Sequence, residues 1–418
     1  MPASEISRSD DLRRENQRRI LAALRVSSPQ SRTELSAETG LSASTVTTIT
    51  SALLERGFLV EAAQGASADA AQQQSRRGRP QVALALNPAA ATIGAVTVTL
   101  NQLSVSLIDY SGNVIGETRV RVDTQHLARE AFSGRLATLL QGFVDANRST
   151  AGPLSQIVVA VQGASDSAGT SLQWSPITPH REIAIGTELQ SHFGVPAQVE
   201  NDANMMASAL HADEPWRFGD SFATILLSHG IGMGMYVKDR MFTGILTSAA
   251  EFGHMCHLPG GSLCRCGRHG CIEAYAGDYG IWRNATGSSA DTVPDQDFDP
   301  DTMAGLARRA RAGDSKACEA YRMAGEAIGH GLRSLFALLD PMPVAFVGSG
   351  ASAFDLMEPM IRKSLGQRGV GLSYEDPRLY CYPNDFELTR RGTIVTALNA
   401  LDRNLQIVHE ARELENAG

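Results

Sequence analysis

The chain has 418 residues, enough for two or three domains that each bury a core, and its 43% hydrophobic and 20% charged composition is that of an ordinary soluble protein. The N-terminal MPASEISRSDDLRRENQRR has no apolar stretch behind its charges, and no run of about eighteen apolar residues occurs anywhere. The expectation is a cytoplasmic protein, neither secreted nor membrane-spanning. The net charge of −8 hides an asymmetry: residues 1–86 carry 11 Arg and no Lys against 9 acidic residues, +2, which leaves −10 for the remainder. So weak an excess does not by itself point to nucleic acid, and the placement of the arginines matters more.

Residues 16–60 hold three helical patterns. The first places Ile20, Leu21 and Leu24 on one face and stops at Ser27-Ser28-Pro29. Ser31 with Glu34 three residues later forms a capping box for the second, which Gly40 ends. Ser42 caps the third, where Val46, Ile49 and Leu53 repeat at helical spacing and Gly57 closes the run. Two short helices around a Gly-containing turn match a helix-turn-helix, with Ser44, Thr45 and Thr48 outward toward base edges and Arg32 near phosphate. A helical hairpin used for packing would share the apolar stripe, but small hydroxyls make a poor dimer seam. Two strand-like runs, 58–60 and 82–86, then flank an Ala/Gln/Ser-rich stretch and read as a wing. Within it Arg76, Arg77 and Arg79 form an RRGRP segment suited to a narrow minor groove.

From residue 91 the pattern changes to alternating strands and helices. A hairpin series turns at 109–113 and precedes a helix over 126–147; a buried strand covers 157–164, a helix 187–194, and a strand 196–204. Strand-like residues follow at 221–239, helices across 302–340 and a strand at 344–352. Strands that end in Gly-rich or acidic loops before helices indicate an α/β body with ligands at the strands' carboxyl ends. The expected division is 1–88, 89–198 and 199–418, the last two as lobes around a cleft, with the C-terminal helix returning to the first lobe.

The passage HMCHLPGGSLCRCGRHGC contains Cys264, Cys266 and Cys271 with His254 and His257 upstream. Three thiolates and one imidazole make a tetrahedral zinc site, and spacing alone does not choose the histidine. A redox-sensing thiol cluster is the competing reading.

Taken with ENDAN (200–204), HGIGMG (229–234) and EFGH (251–254), this passage resembles the ROK family of sugar kinases and sugar-responsive repressors. The helix-turn-helix followed by RRGRP is similar to the module of the family's repressor branch. The resemblance implies a winged helix-turn-helix followed by a two-lobed, actin-like, sugar-kinase-like α/β body with a structural zinc loop. It further implies His254, Cys264, Cys266 and Cys271 as zinc ligands, and sugar contacts from Gly163, Asn201, Asp202, Glu251, His254 and Glu273. Asp202 would be the base in a kinase.

The nucleotide side departs from the family pattern. Where a "DxGGT"-like loop is expected, Gly94 to Thr99 carries Val96 and Val98, which cannot position Mg²⁺ and obstruct phosphate approach. In the second phosphate loop Ser228 and His229 replace the leading Gly-Thr, and Ile177 stands where the sugar side would carry Asn. The expectation is therefore a regulator rather than an enzyme: a homodimeric or homotetrameric DNA-binding protein, most simply a repressor of carbohydrate genes, on a pseudo-palindromic duplex operator, answering to a sugar. An active ATP-dependent sugar kinase with a DNA-binding appendage, and a zinc- or redox-responsive regulator, are the alternatives.

Overall fold

The computed structural model describes residues 4–62, 82–247, 250–293, 298, 300–366 and 377–416. Its head begins with helix α1 (Ser4–Val26), strand β1 (Gln30–Ser31), α2 (Arg32–Thr39) and α3 (Ala43–Glu55), and closes with β2 (Leu59–Glu61) and β3 (Ala83–Leu86). Local chemistry sets these limits. Ser31 and Glu34 exchange both capping-box hydrogen bonds, at 3.3 and 2.7 Å, and Gly40 ends α2 in the left-handed conformation. Ser42 Oγ accepts the Thr45 amide at 3.1 Å and starts α3. Leu35, Val46, Ile49 and Leu53 close over Ile20, Leu21 and Leu24, and the three strands pair antiparallel in the order β1-β3-β2. The arginines expected in the minor groove, Arg76, Arg77 and Arg79, lie outside the described residues.

The first body sheet has the order β10-β7-β4-β5-β6. Strands β4 (Thr92–Thr99), β5 (Gln102–Asp109) and β6 (Val114–Arg121) form the expected antiparallel series, and helix α4 (Arg129–Ala146) follows. Strand β7 (Leu154–Val161) runs parallel to β4, then come the short pair β8 (Ala164–Ser165) and β9 (Leu172–Trp174), α5 (Ile185–Phe193) and β10 (Ala197–Asn201). The strand expected over 196–204 stops at Asn201, because Asn201 Oδ1 accepts the Asn204 amide at 3.0 Å and caps α6 (Asp202–Asp213). Strand β10 pairs with β7 of the first sheet, past residue 198.

The second sheet has the order β13-β12-β11-β14-β15. After α7 (Pro215–Phe218), β11 (Phe222–Leu227), β12 (Ile231–Val237) and β13 (Arg240–Met241) pair antiparallel. The cysteine loop leads into α8 (Glu273–Ala276) and α9 (Asp278–Thr286), and α10 (Pro300–Arg311) and α11 (Ser315–Leu339) follow. Strand β14 (Val344–Val347) runs parallel to β11, and α12 (Phe354–Leu365) connects it to the parallel β15 (Leu379–Tyr382). The strand read at 344–352 ends at Val347, where Gly348 enters a 3-10 turn.

The last helix, α13 (Asp385–Asn416), leaves the second sheet and packs against α6, β7 and β4. With α4 and α5 on the opposite face, it explains why β4 and β7 are buried along most of their length: neither face meets water. The head does not stand apart. Ile20, Leu21, Leu24 and Leu84 share one apolar cluster with Ile93, Tyr110, Val158, Ile394 and Leu398 of the body. Among the described residues, no helix is long and apolar enough to cross a membrane.

Candidate functional site

A pocket between the two sheets brings together all six residues expected to contact a sugar: Gly163, Asn201, Asp202, Glu251, His254 and Glu273. Gly163 and Asn201 lie just past the carboxyl ends of β7 and at the end of β10, where open α/β sheets place ligands. Gly163 has φ +142°, and a Cβ there would stand 2.3 Å from the Trp174 carbonyl oxygen, so only glycine lets β9 approach. Asn201 works as a brace. Its amide donates to the Gly163 carbonyl at 2.6 Å while its oxygen caps α6, which fixes the pocket floor to the helix.

Asp202 opens α6, buried at 7% exposure, with Oδ1 accepting the Ala203 amide at 2.9 Å. Burial raises its carboxyl to about 7, and the nearby Asp385 carboxylate pushes the same way. Glu251 is exposed and sets Oε2 3.6 Å from His254 Nε2. Glu273 is buried and already engaged: Oε2 accepts the Ile231 amide at 3.2 Å, and Oε1 lies 3.3 Å from the Tyr279 hydroxyl and 3.6 Å from Cys264 Sγ. It ties the metal loop to the β11–β12 turn as well as facing the pocket.

His254, Cys264, Cys266 and Cys271 offer ligand atoms all within 4.8 Å of one another, a group able to hold a metal ion. Cys264 Sγ is 3.7 Å from His254 Nδ1, and Cys266 Sγ is 3.7 Å from Cys271 Sγ. Ligands ~2.3 Å from a tetrahedral centre stand about 3.8 Å apart, so the spacing fits. His257 is elsewhere, with Nδ1 3.2 Å from His330 Nδ1 and its ring against Tyr275. Because Nδ1 of His254 turns to the thiols, its Nε2 turns toward Glu251 and the pocket. Burial, then Glu273, raises the Cys264 thiol; Arg268 holds Cys266 below the usual range although burial opposes it.

Where the family resemblance would place a phosphate loop, Val96 and Val98 are fully buried in the first-lobe core. Ile177, 1% exposed, belongs to the same core. His229 sits at the β11–β12 turn with Nδ1 3.4 Å from Asp278. In the head, Ser44 and Thr48 are exposed on α3 and Thr45 half-buried. The Ser44 and Thr45 hydroxyls lie 2.9 and 2.8 Å from Ser42 Oγ, while Thr48 Oγ1 donates to the Ser44 carbonyl at 3.0 Å. Arg32 Nε donates to Thr50 Oγ1 at 3.0 Å, which anchors its guanidinium between α2 and α3.

Sequence reasoning missed Gln162, Trp174 and Pro176, which also line the pocket. Trp174 stands edge-on to His254 with ring centroids 5.9 Å apart. A tryptophan three residues ahead of the departure at Ile177 was the available signal.

A winged head on this two-lobed body defines a DNA-binding protein built on a sugar-kinase-like fold. The chain belongs to the ROK family, whose model matches residues 93–372, and a winged helix-turn-helix DNA-binding model matches residues 13–60. It is 25% identical over 363 residues to the xylose repressor of Bacillus spizizenii, covering 86% of this chain and 89% of that one. It is 27% identical over 290 residues to a glucokinase of Streptomyces coelicolor, covering 67% of this chain and 88% of the relative. Among solved structures, a ROK family transcriptional regulator, a homolog of the E. coli MLC protein, superposes with a TM-score of 0.77 at 22% identity, over 95% of this chain and 99% of that one.

Proposed function

We propose that this protein is a sugar-responsive DNA-binding transcriptional regulator, a repressor of carbohydrate genes, that works in the cytoplasm. One observation carries the reading: a winged helix-turn-helix is joined to a pocket lined by Gly163, Asn201, Asp202, Glu251, His254 and Glu273. Carboxylates and an imidazole there present acceptors and a donor to ring hydroxyls, and Trp174 supplies an apolar face. His254, Cys264, Cys266 and Cys271 would hold zinc in a structural role, fixing the tautomer and aim of His254. Ser44, Thr45 and Thr48 read bases, Arg32 and the arginines at 76, 77 and 79 meet the backbone and minor groove, and a homo-oligomer binds a pseudo-palindromic operator.

Kinase chemistry is not part of the proposal, because Val96 and Val98 fill the first phosphate loop's place with core. Two measurements test the reading. Calorimetric titration with D-xylose, D-glucose, N-acetyl-D-glucosamine and their 6- or 5-phosphates should show binding of one compound that is lost in Asp202→Ala. Mobility-shift assays on duplexes selected from random DNA should show that the same compound changes affinity. Sustained phosphorylation of any of these sugars with ATP and Mg²⁺ would replace the regulator with a kinase.

A further inference from the structure

Helix α13 touches both α6, which opens at the pocket, and α1 of the head. It begins at Asp385, whose charge adds to burial in raising the Asp202 carboxyl. Seventeen residues on, about 25 Å along the helix axis, Asp402 meets the head. Its Oδ2 and Oδ1 accept from Arg25 Nη1 and Nη2 at 2.7 and 3.1 Å, and Oδ1 accepts the Tyr110 hydroxyl at 2.9 Å. The Asp402 side chain is 3% exposed and that of Arg25 17%.

Midway, Gly392 crosses α6. A Cβ at this position would lie 1.6 Å from the Met205 carbonyl oxygen, so the two helices touch backbone to backbone. Met205 is three residues from Asp202 on the same helix. Beyond the crossing, Ile394, Ala397, Leu398 and Leu401 join Ile20, Leu21 and Leu24 of α1 and Leu84 and Leu86 of the wing in one apolar cluster.

We infer that α13 is the element that passes a displacement of α6 to the DNA-binding head, received at Gly392 and delivered through Asp402 to Arg25 and Tyr110. The physical reasons are three. A backbone-to-backbone crossing has no side chain whose rotamers absorb movement. A helix is stiff over this length. Apolar contacts alone would let α1 slide, whereas a buried, bidentate ion pair is satisfied in one register. Gly392, Asp402 and Arg25 are thus positioning residues, which touch neither sugar nor DNA.

The regulatory meaning rests on the reading of Asp202 as a sugar contact and of the head as a DNA reader. The test needs neither ligand, so its failure and the failure of that reading are distinct outcomes. Hydrogen exchange by mass spectrometry is followed on the full chain at α1, α6 and α11. Coupling is reciprocal. Arg25→Lys, which keeps the charge and loses the fork, should speed exchange in α6 by about fivefold and leave α11, which packs in a separate apolar cluster, unchanged. Gly392→Ala, which wedges the crossing, should speed exchange in both α1 and α6. In the double variant Arg25→Lys should add nothing further at α6. Unchanged α6 exchange in Arg25→Lys, a uniform rise that includes α11, or additive effects in the double variant would overturn the inference. Should Gly392→Ala fail to fold, the Arg25→Lys comparison of α6 with α11 decides alone.

Discussion

Arg25 and Asp402 lie 377 positions apart in sequence and meet as a bidentate ion pair under the DNA-binding head. A buried pair adds little net stability, but removing one partner strands the other's charge, at a cost of about 3 kcal/mol. Asp402→Ala should therefore destabilise the chain by roughly that amount in urea titrations. It also leaves the Tyr110 hydroxyl without its acceptor. Arg25→Met/Asp402→Leu should lose less than Asp402→Ala alone, since no charge is left buried. A double variant weaker than the single one would mean that the pair is a net stabiliser.

The contrast between this junction and the pocket explains what the sequence disclosed. The head was legible because its signals are local: Ser31 with Glu34, Gly40, Ser42, and an apolar repeat three or four residues apart. The ligand cluster was legible because its four donors fall within eighteen residues and belong to a patterned family. Spacing left two histidines open, and the geometry puts His254, not His257, beside the thiols. Arg25, Tyr110, Gly392 and Asp402 carried no such signal, since each is ordinary in its own neighbourhood and gains meaning only from helices that meet across the fold. The strand expected to run through 204 failed for a local reason that was readable in principle, because Asn201 with Asp202 is also a helix start.

The titration of Asp202 gives a second prediction. Its folded carboxyl titrates at about 7, against about 3.9 for an unfolded aspartate. Between these values the folded state holds a proton that the unfolded chain has released, so stability falls as pH rises from about 4 to about 7. Glu200, which burial also raises to about 7, contributes a slope of the same sign. Asp202→Asn should remove part of the slope and Asp202→Asn/Glu200→Gln more of it, read as urea midpoints across this range. Sugar hydroxyls that donate to Asp202 favour its charged form. Binding near pH 6.5 should then release protons, seen as a calorimetric heat that varies with the buffer's ionisation enthalpy and stops varying in Asp202→Asn.

The loop from His254 to Cys271 should hold one metal ion per chain, counted by atomic absorption on protein purified without added metal. Cys266→Ser should lower the content below half. Strong chelation should abolish sugar binding while the first sheet stays folded, because the ligand set meets the pocket at His254 and, through Cys264, at Glu273. If chelation instead alters DNA affinity with sugar binding intact, the loop is itself the sensor.

Substitutions in α2 and α3 should separate folding from DNA reading. Ser31 is a buried cap, so Ser31→Ala should cost about 1 kcal/mol of stability and weaken binding only through the loss of folded head. Ser44 and Thr48 are exposed, so Ser44→Ala and Thr48→Ala should leave the urea midpoint within about 0.5 kcal/mol and still relax the base preference of the selected duplex. Arg32 differs from both. Thr50 holds its guanidinium at the junction of α2 and α3, where a phosphate contact carries no sequence information. Arg32→Ala should weaken binding to all sequences alike and lower the slope of log affinity against log salt by about 1. A sequence-dependent loss in Arg32→Ala, with the salt slope unchanged, would instead turn Arg32 into a base-reading residue and shift the docking of α3 in the groove.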